Sequence, residues 1–159
     1  MVKLYHGSFT AVPSPDLSFS RNTTDFGKGF YTTTIQSQAE KWAARYKIRK
    51  GSGVVSLYEI DEDELRKNVT VLEFDSYSVE WLDFIIRCRR GESAGNYDLI
   101  IGCVANDDVF NTLTIYFRGF IDKTEAIKRL RYEKPNIQYC FKTQAVIDKY
   151  LIYKGNTVL

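Results

Sequence analysis

Asp25-Phe26-Gly27-Lys28-Gly29-Phe30-Tyr31 is a glycine turn that runs straight into a strand. Two glycines around a lysine let a chain fold back tightly and offer main-chain N–H groups to a phosphate. The block departs from the phosphate loop of nucleoside-triphosphate enzymes, because no Gly-Lys-Ser/Thr follows at the required spacing. The strand it feeds begins Phe-Tyr. Tyr31 therefore emerges beside the turn, where its ring can fill a core or stack on a flat heterocycle.

Working outward from this block, Val2–His6 is short, β-prone and halted by Gly7, which reads as a strand. Residues 8–28 are rich in Ser, Thr, Pro, Asn and Asp and form a long loop, a feature tied to function or mobility in compact domains. Phe30–Thr34 is the second strand. Ser37–Lys50 is a helix, with Ala39, Trp42, Ala43 and Tyr46 at helical spacing and Gly51 as its stop. Val54–Ile60 alternates as a strand, and Val69–Phe74 is a shorter one. Val79–Arg90 is helical through Trp81, Leu82, Ile85 and Ile86. Tyr97–Val104 is a buried strand. Asp107–Gly119 is a helix with Phe110, Leu113 and Phe117 on one side. Lys123–Tyr132 is a helix with Ala126, Ile127 and Leu130 inward. Ile137–Lys142 and Tyr150–Tyr153 are strands around a short helix, Thr143–Lys149. Strands and helices intermix without a repeated βαβ rhythm, which makes the fold class α+β.

A chain of 159 residues suits one domain, 1–159, and 44% hydrophobic residues supply a core without staples. A net charge of +2 argues for no particular partner. The two basic clusters read as solvated helix faces. One holds Lys41, Arg45, Lys47, Arg49 and Lys50; the other holds Lys123, Lys128, Arg129, Arg131 and Lys134. Cys88, Cys103 and Cys140 are odd in number and lack CxxC spacing, so they indicate neither a disulfide framework nor a metal site. No signal peptide and no membrane span is expected, and the cytoplasm is the default address.

Three sets of residues can carry chemistry. His6 is the only histidine and stands between a strand and Gly7. Alone it reads as a structural group, but a glycine there also lets main chain approach a ligand. Trp42 reads as core on propensity and as a second aromatic wall if it lies against the strand edge. Gln138, within Asn136-Ile137-Gln138-Tyr139-Cys140-Phe141, is an amide in an apolar strand. It either faces solvent from an edge or needs partners for its amide. Asn106, Asp107 and Asp108 read as a helix N-cap or as polar site groups.

Leu4-Tyr5-His6-Gly7-Ser8, the Phe26–Tyr31 block and Asn136-Ile137-Gln138-Tyr139 together resemble the ADP-ribosyltransferase core of the poly(ADP-ribose) polymerase or diphtheria-toxin type. The family's blocks are LWHGS, FGKGIYFA and NEYIVY, in the same order. The chain also resembles a bacterial family that shares the DFGKGFY block and closes on an NxQxxF strand.

The resemblance implies a split mixed β-sheet core with peripheral helices, and NAD as substrate. It implies that His6 bonds the adenosine ribose, that Gly7 holds the nicotinamide carboxamide through its main chain, and that Tyr31 and Trp42 stack on the nicotinamide. Ser8 and Gly29 would border the cofactor, and Arg21 would meet the pyrophosphate. Gln138 stands where the family has its catalytic glutamate, so the catalytic set is His6, Tyr31 and Gln138. Ala39 replaces a serine that bonds the carboxamide.

A neutral amide stabilises ribose cation character less than a carboxylate does. The implied activity is therefore mono-ADP-ribosylation of a protein or nucleic acid, as in bacterial toxins paired with a small antitoxin. Two other readings stay open. One is an inactive NAD-binding or interaction module. The other is different chemistry on the same scaffold, such as NAD hydrolysis or transfer to an RNA phosphate. Glu59, Glu73, Glu80 and Glu133 are the carboxylates that tertiary structure would have to bring to Gln138 if one is to replace the missing charge.

Overall fold

The computed structural model describes residues 1–133 and 136–159. Lys134, counted in the second basic cluster, lies outside the described residues. In chain order the elements are β1 (Val2–Ser8), β2 (Phe30–Thr33), α1 (Gln36–Lys50), β3 (Val54–Ile60), α2 (Glu62–Asn68), β4 (Val71–Glu73), α3 (Val79–Arg89), β5 (Leu99–Cys103), α4 (Asp107–Phe117), α5 (Lys123–Leu130), β6 (Ile137–Phe141), α6 (Gln144–Tyr150) and β7 (Ile152–Val158). All seven strands join one sheet in the order β4-β5-β6-β2-β1-β3-β7. Only β4 and β5 run parallel, and the chain between them passes through α3. The fold is α+β, with a mixed sheet.

Alternation along the strands sends side chains to two cores. On one face Ile100 and Cys140 meet Phe26, Trp81, Leu82, Ile85, Leu113 and Leu130, which belong to the glycine turn, α3, α4 and α5. On the other, Leu4, Tyr58, Ile60, Leu99 and Phe141 meet Leu65 of α2 with Val146 and Ile147 of α6. Burial of each large side chain stabilises the fold by roughly 1.5–3 kcal/mol. Cys88, Cys103 and Cys140 are all free and buried, and burial pushes the Cys140 thiol up to about 12. They are core residues, as their apolar settings indicate.

Several elements differ from the expectation. α2 was not foreseen, because Leu65 is its one buried residue. Its signals are polar: the Asp61 carboxylate accepts from the Glu64 N–H at 3.0 Å, acids fill its first turn and Arg66 and Lys67 its last. The expected strand Val69–Phe74 shortens accordingly to β4, and Val69 caps α2. Tyr150 ends α6 rather than opening a strand, and β7 runs on to Val158. In α4 the inward residues are Val109 and Leu113; Phe110 and Phe117 are 47% and 42% exposed. β7 is an edge strand paired with β3 through a bulge, in which Leu57 faces Gly155 and Tyr58 faces Tyr153, leaving Lys154 as the extra residue beside Gly155, whose φ is +138°.

α1 lies unusually close to β1. A methyl group at Gly7 would stand 2.1 Å from the Ala39 carbonyl oxygen and 2.8 Å from the Ala43 nitrogen. Gly7 is thus required by helix packing. Gly51 is required for a different reason: it ends α1 at φ +79° with open space around it. Gly7→Ala should therefore destabilise by about 3 kcal/mol or more, at the top of the overpacking range. Gly51→Ala should lose about 1 kcal/mol. Urea unfolding of the two variants measures the difference, and equal losses would contradict the close approach.

Candidate functional site

β1 is registered with β3 over seven residue pairs, from Val2↔Ile60 to Ser8↔Val54. With β2 it shares a single pair, Tyr5↔Thr33. Continuing that antiparallel register would set Gly7 opposite Tyr31, but the strands part there. The His6 side chain spans the opening instead. Its Nδ1 lies 2.7 Å from the Tyr31 carbonyl oxygen, and its ring lies on Phe30 with centroids 4.3 Å apart. A carbonyl can only accept, so Nδ1 carries the proton. Burial lowers the His6 pKa from its ordinary 6.5 more than the main-chain bond raises it, so the ring is neutral at pH 7. Nε2 is then a bare acceptor, with no partner among the described residues.

Gln138 lies across β2 from this opening. Register pairs it with Thr33 on one side and Gly102 on the other. Tyr5, Thr33 and Gln138 thus form one row on the face that carries α1. β6 is a central strand, so the edge-strand reading of Gln138 does not hold. The residue is 3% exposed. Its amide nitrogen makes one long bond, 3.5 Å, to the Cys103 carbonyl, and its amide oxygen has no partner among the described residues. Gln38 and Asn136 adjoin the row: Asn136 donates to the buried Gln38 at 3.3 Å, and the Val104 N–H donates to the Asn136 carbonyl at 2.7 Å.

The glycine block is fixed by its own residues. Phe26 is fully buried, and Gly27 turns the chain at φ +75°. A methyl at Gly29 would stand 2.3 Å from the Cys140 sulfur, so this glycine serves packing and not a phosphate cradle. Tyr31 bends back onto the turn. Its hydroxyl donates to the Gly27 carbonyl at 2.6 Å, accepts from the Phe26 N–H at 2.9 Å, and lies 2.9 Å from Thr24 Oγ1. Burial pushes its phenol pKa up, so it stays protonated. Two cations hold the block from outside. Arg89 of α3 bonds Asp25 through Nε and an Nη at 3.0 and 2.6 Å. Lys142, just after β6, donates to the Phe26 carbonyl at 2.5 Å and to that of Lys28. Its pKa is lowered by burial.

Sequence reasoning missed Lys142, Arg89, Gln38 and Thr33 as parts of this region. The other expected residues fall as follows. Trp42 is half-buried on α1 with Tyr5, Ala39, Ala43 and Val55, its Cβ beside Gly7. It shares no ring contact with Tyr31, whose ring faces Phe26 at 6.4 Å. Ser8 is buried in the β1–β3 ladder. Arg21 is exposed and forms no ion pair among the described residues. Asn106 is an N-cap, accepting from the Val109 N–H at 2.9 Å. Glu59 is paired with Lys154 and Glu73 with Arg66. Two open surface clefts, of about 670 and 340 Å³, are lined by other residues. The larger lies along α3 and the end of α4, and the smaller lies between Thr34, Glu73, Asp75 and Tyr139. The opening at Gly7 and Tyr31 is a separate feature, defined by strand register.

Residues 2–153 match a family model described as "Protein of unknown function (DUF3990)". The chain belongs to the DUF3990 family. No curated protein and no solved structure matches it. The match spans the DFGKGFY block, the His6 strand and the Gln138 strand alike. Among the described residues no helix is long and apolar enough to cross a membrane.

Tyr31→Phe keeps the ring and strands the Phe26 N–H. It should lose about 1–2 kcal/mol of stability in urea titration; no loss would mean that the hydroxyl does not close the turn. His6 gives a single imidazole signal in NMR. That signal should show an Nδ1–H tautomer and titrate below 6.5. In that window the unfolded chain binds more protons than the folded one. The His6 contribution to stability is therefore complete above pH 6.5 and falls away as pH drops toward the lower folded value.

Proposed function

We propose that this DUF3990 chain has an ADP-ribosyltransferase-type fold, binds NAD at the opening between β1 and β2, and transfers ADP-ribose to a macromolecule. The observation that carries the reading is the parting of these strands after one pair, at the place where Gly7 and Tyr31 would otherwise meet. Two side chains suited to NAD support it: a neutral histidine at the opening, whose Nε2 has no partner among the described residues, and a buried glutamine one strand away across β2. That combination is what a sugar hydroxyl needs, an acceptor held in place with its other hydrogen bonds already arranged.

In this reading His6 Nε2 accepts from a hydroxyl of the adenosine ribose. The Gly7 main chain, between β3 and the opening, orients the carboxamide, and Trp42 and Tyr31 flank the nicotinamide. NAD supplies a labile nicotinamide–ribose bond, whose cleavage builds positive charge on the ribose while nicotinamide leaves with the bonding electrons. Gln138 holds a ribose hydroxyl through its amide oxygen and lends the partial negative charge of that oxygen. The acceptor then bonds the ribose carbon and releases its proton to water. Without a carboxylate at 138 the rate is lower by roughly 10²-fold, the scale of one stabilising group. Such an enzyme adds single units rather than polymer.

A second reading has its own support. The neutral Gln138 and the Tyr31 hydroxyl committed to its turn also suit a module that binds NAD without turning it over.

Incubation with labelled NAD and a cell lysate tests both. Label on protein or nucleic acid, lost by more than 10²-fold in His6→Ala and Gln138→Ala, is the expected result. Gln138→Glu should raise transfer by roughly 10²-fold. NAD binding by calorimetry without transfer would favour the inactive module. Full activity in both alanine variants would remove the site assignment.

A further inference from the structure

α3, the end of α4 and the turn at 119–121 line the open surface cleft of about 670 Å³. Ile86, Phe117 and Ile121 give it apolar walls, and Asp83, Arg87 and Arg90 line it as well. The charges are not balanced. Asp83 is taken by Lys123 at 2.9 Å, and the neighbouring Arg89 is taken by Asp25. Arg87 and Arg90, both exposed, have no carboxylate partner among the described residues. The Arg87 guanidinium lies over the Phe84 ring at 5.5 Å, which holds the charged fork at the cleft wall while its N–H groups keep no carboxylate partner among the described residues. The surrounding surface is aromatic: Phe110 and Phe117, two turns apart on α4, and Phe120, which is 76% exposed.

Exposed aromatics beside unpaired arginines have the composition of protein interfaces. A carboxylate would complete the fork of each arginine while an apolar side chain fills the walls. A nucleic acid would call for a continuous basic track. Here Asp83 in the cleft lining, and Asp122 just after its 119–121 turn, interrupt it. We propose that this cleft docks a peptide segment of a partner protein, one carrying an apolar anchor next to one or two carboxylates. The surface is separate from the opening at Gly7 and Tyr31, and the proposal does not rest on NAD chemistry.

A random dodecapeptide phage library, panned on the full chain, tests it. The expected consensus places Asp or Glu within four positions of a large apolar residue. The synthetic consensus peptide should bind at least tenfold more weakly to R87E/R90E. Replacing its acids with lysine should restore binding to that double variant. Circular dichroism confirms that the variant, altered only at exposed positions, is folded. The proposal is overturned by a library that yields no consensus, by a consensus without acids, or by equal binding to R87E/R90E. It is also overturned if sedimentation shows a dimer that Phe117→Ser abolishes, which would seat a second copy there. Oligo(U) binding lost in R87E/R90E would likewise replace the peptide with RNA.

Discussion

Where β1 and β2 separate, an imidazole stands in for a backbone ladder. Most of the sheet is held by repeated N–H to carbonyl pairs, which are cheap to form and fix every residue alike. At His6 one side-chain nitrogen meets one carbonyl, and the main chain around it is left apart. That arrangement holds only if the two strands are fixed from elsewhere. α1 fixes β1 by resting on Gly7, and the β2–β6 ladder fixes β2 over four pairs, from Phe30↔Phe141 to Thr33↔Gln138. The gap is therefore bounded on both sides by packed or fully paired structure.

The glycine block shows how far a motif can be explained without a ligand. Asp25 binds Arg89, Phe26 fills the core, Gly27 supplies the left-handed turn, Gly29 lets Cys140 approach, and Tyr31 closes the loop with its hydroxyl. Phe30 packs on the His6 ring, and Lys28 lends its main-chain carbonyl to Lys142. The block is a scaffold that sets where the Tyr31 carbonyl and ring stand. Any chemistry it supports passes through that placement. Gln138 differs: it is 3% exposed, and its amide nitrogen reaches the Cys103 carbonyl only at 3.5 Å.

Strong periodicity was legible. β3 coincides with the alternating run Val54–Ile60, α1 begins one residue before the apolar spacing suggests, and the Asn106 cap was readable from its side chain. Polar or two-sided patterns were not. α2 has too few apolar residues to announce itself. α4 contains two overlapping stripes, Val109 with Leu113 and Phe110 with Phe117, and periodicity cannot choose between them. β7 pairs on one side only, so its outward residues look like a loop. In the candidate site, His6, Tyr31 and Gln138 were picked out through motif order; His6 meets the Tyr31 carbonyl, and Gln138 lies one strand further on, opposite Thr33. Lys142 could not be found this way. A lysine at a strand end carries no local signal, and its two carbonyl partners are 116 and 114 residues away in sequence.

The bulge opposite Gly155 bears on how this molecule behaves in a crowd. β7 is a seven-residue strand at the margin of the sheet, and a straight one would offer a template for cross-β growth between molecules. The extra residue there, Lys154, breaks the regular ladder, and its ammonium pairs with Glu59 at 3.4 Å. An arriving strand from another molecule could pair with only a few residues before the backbone veers away.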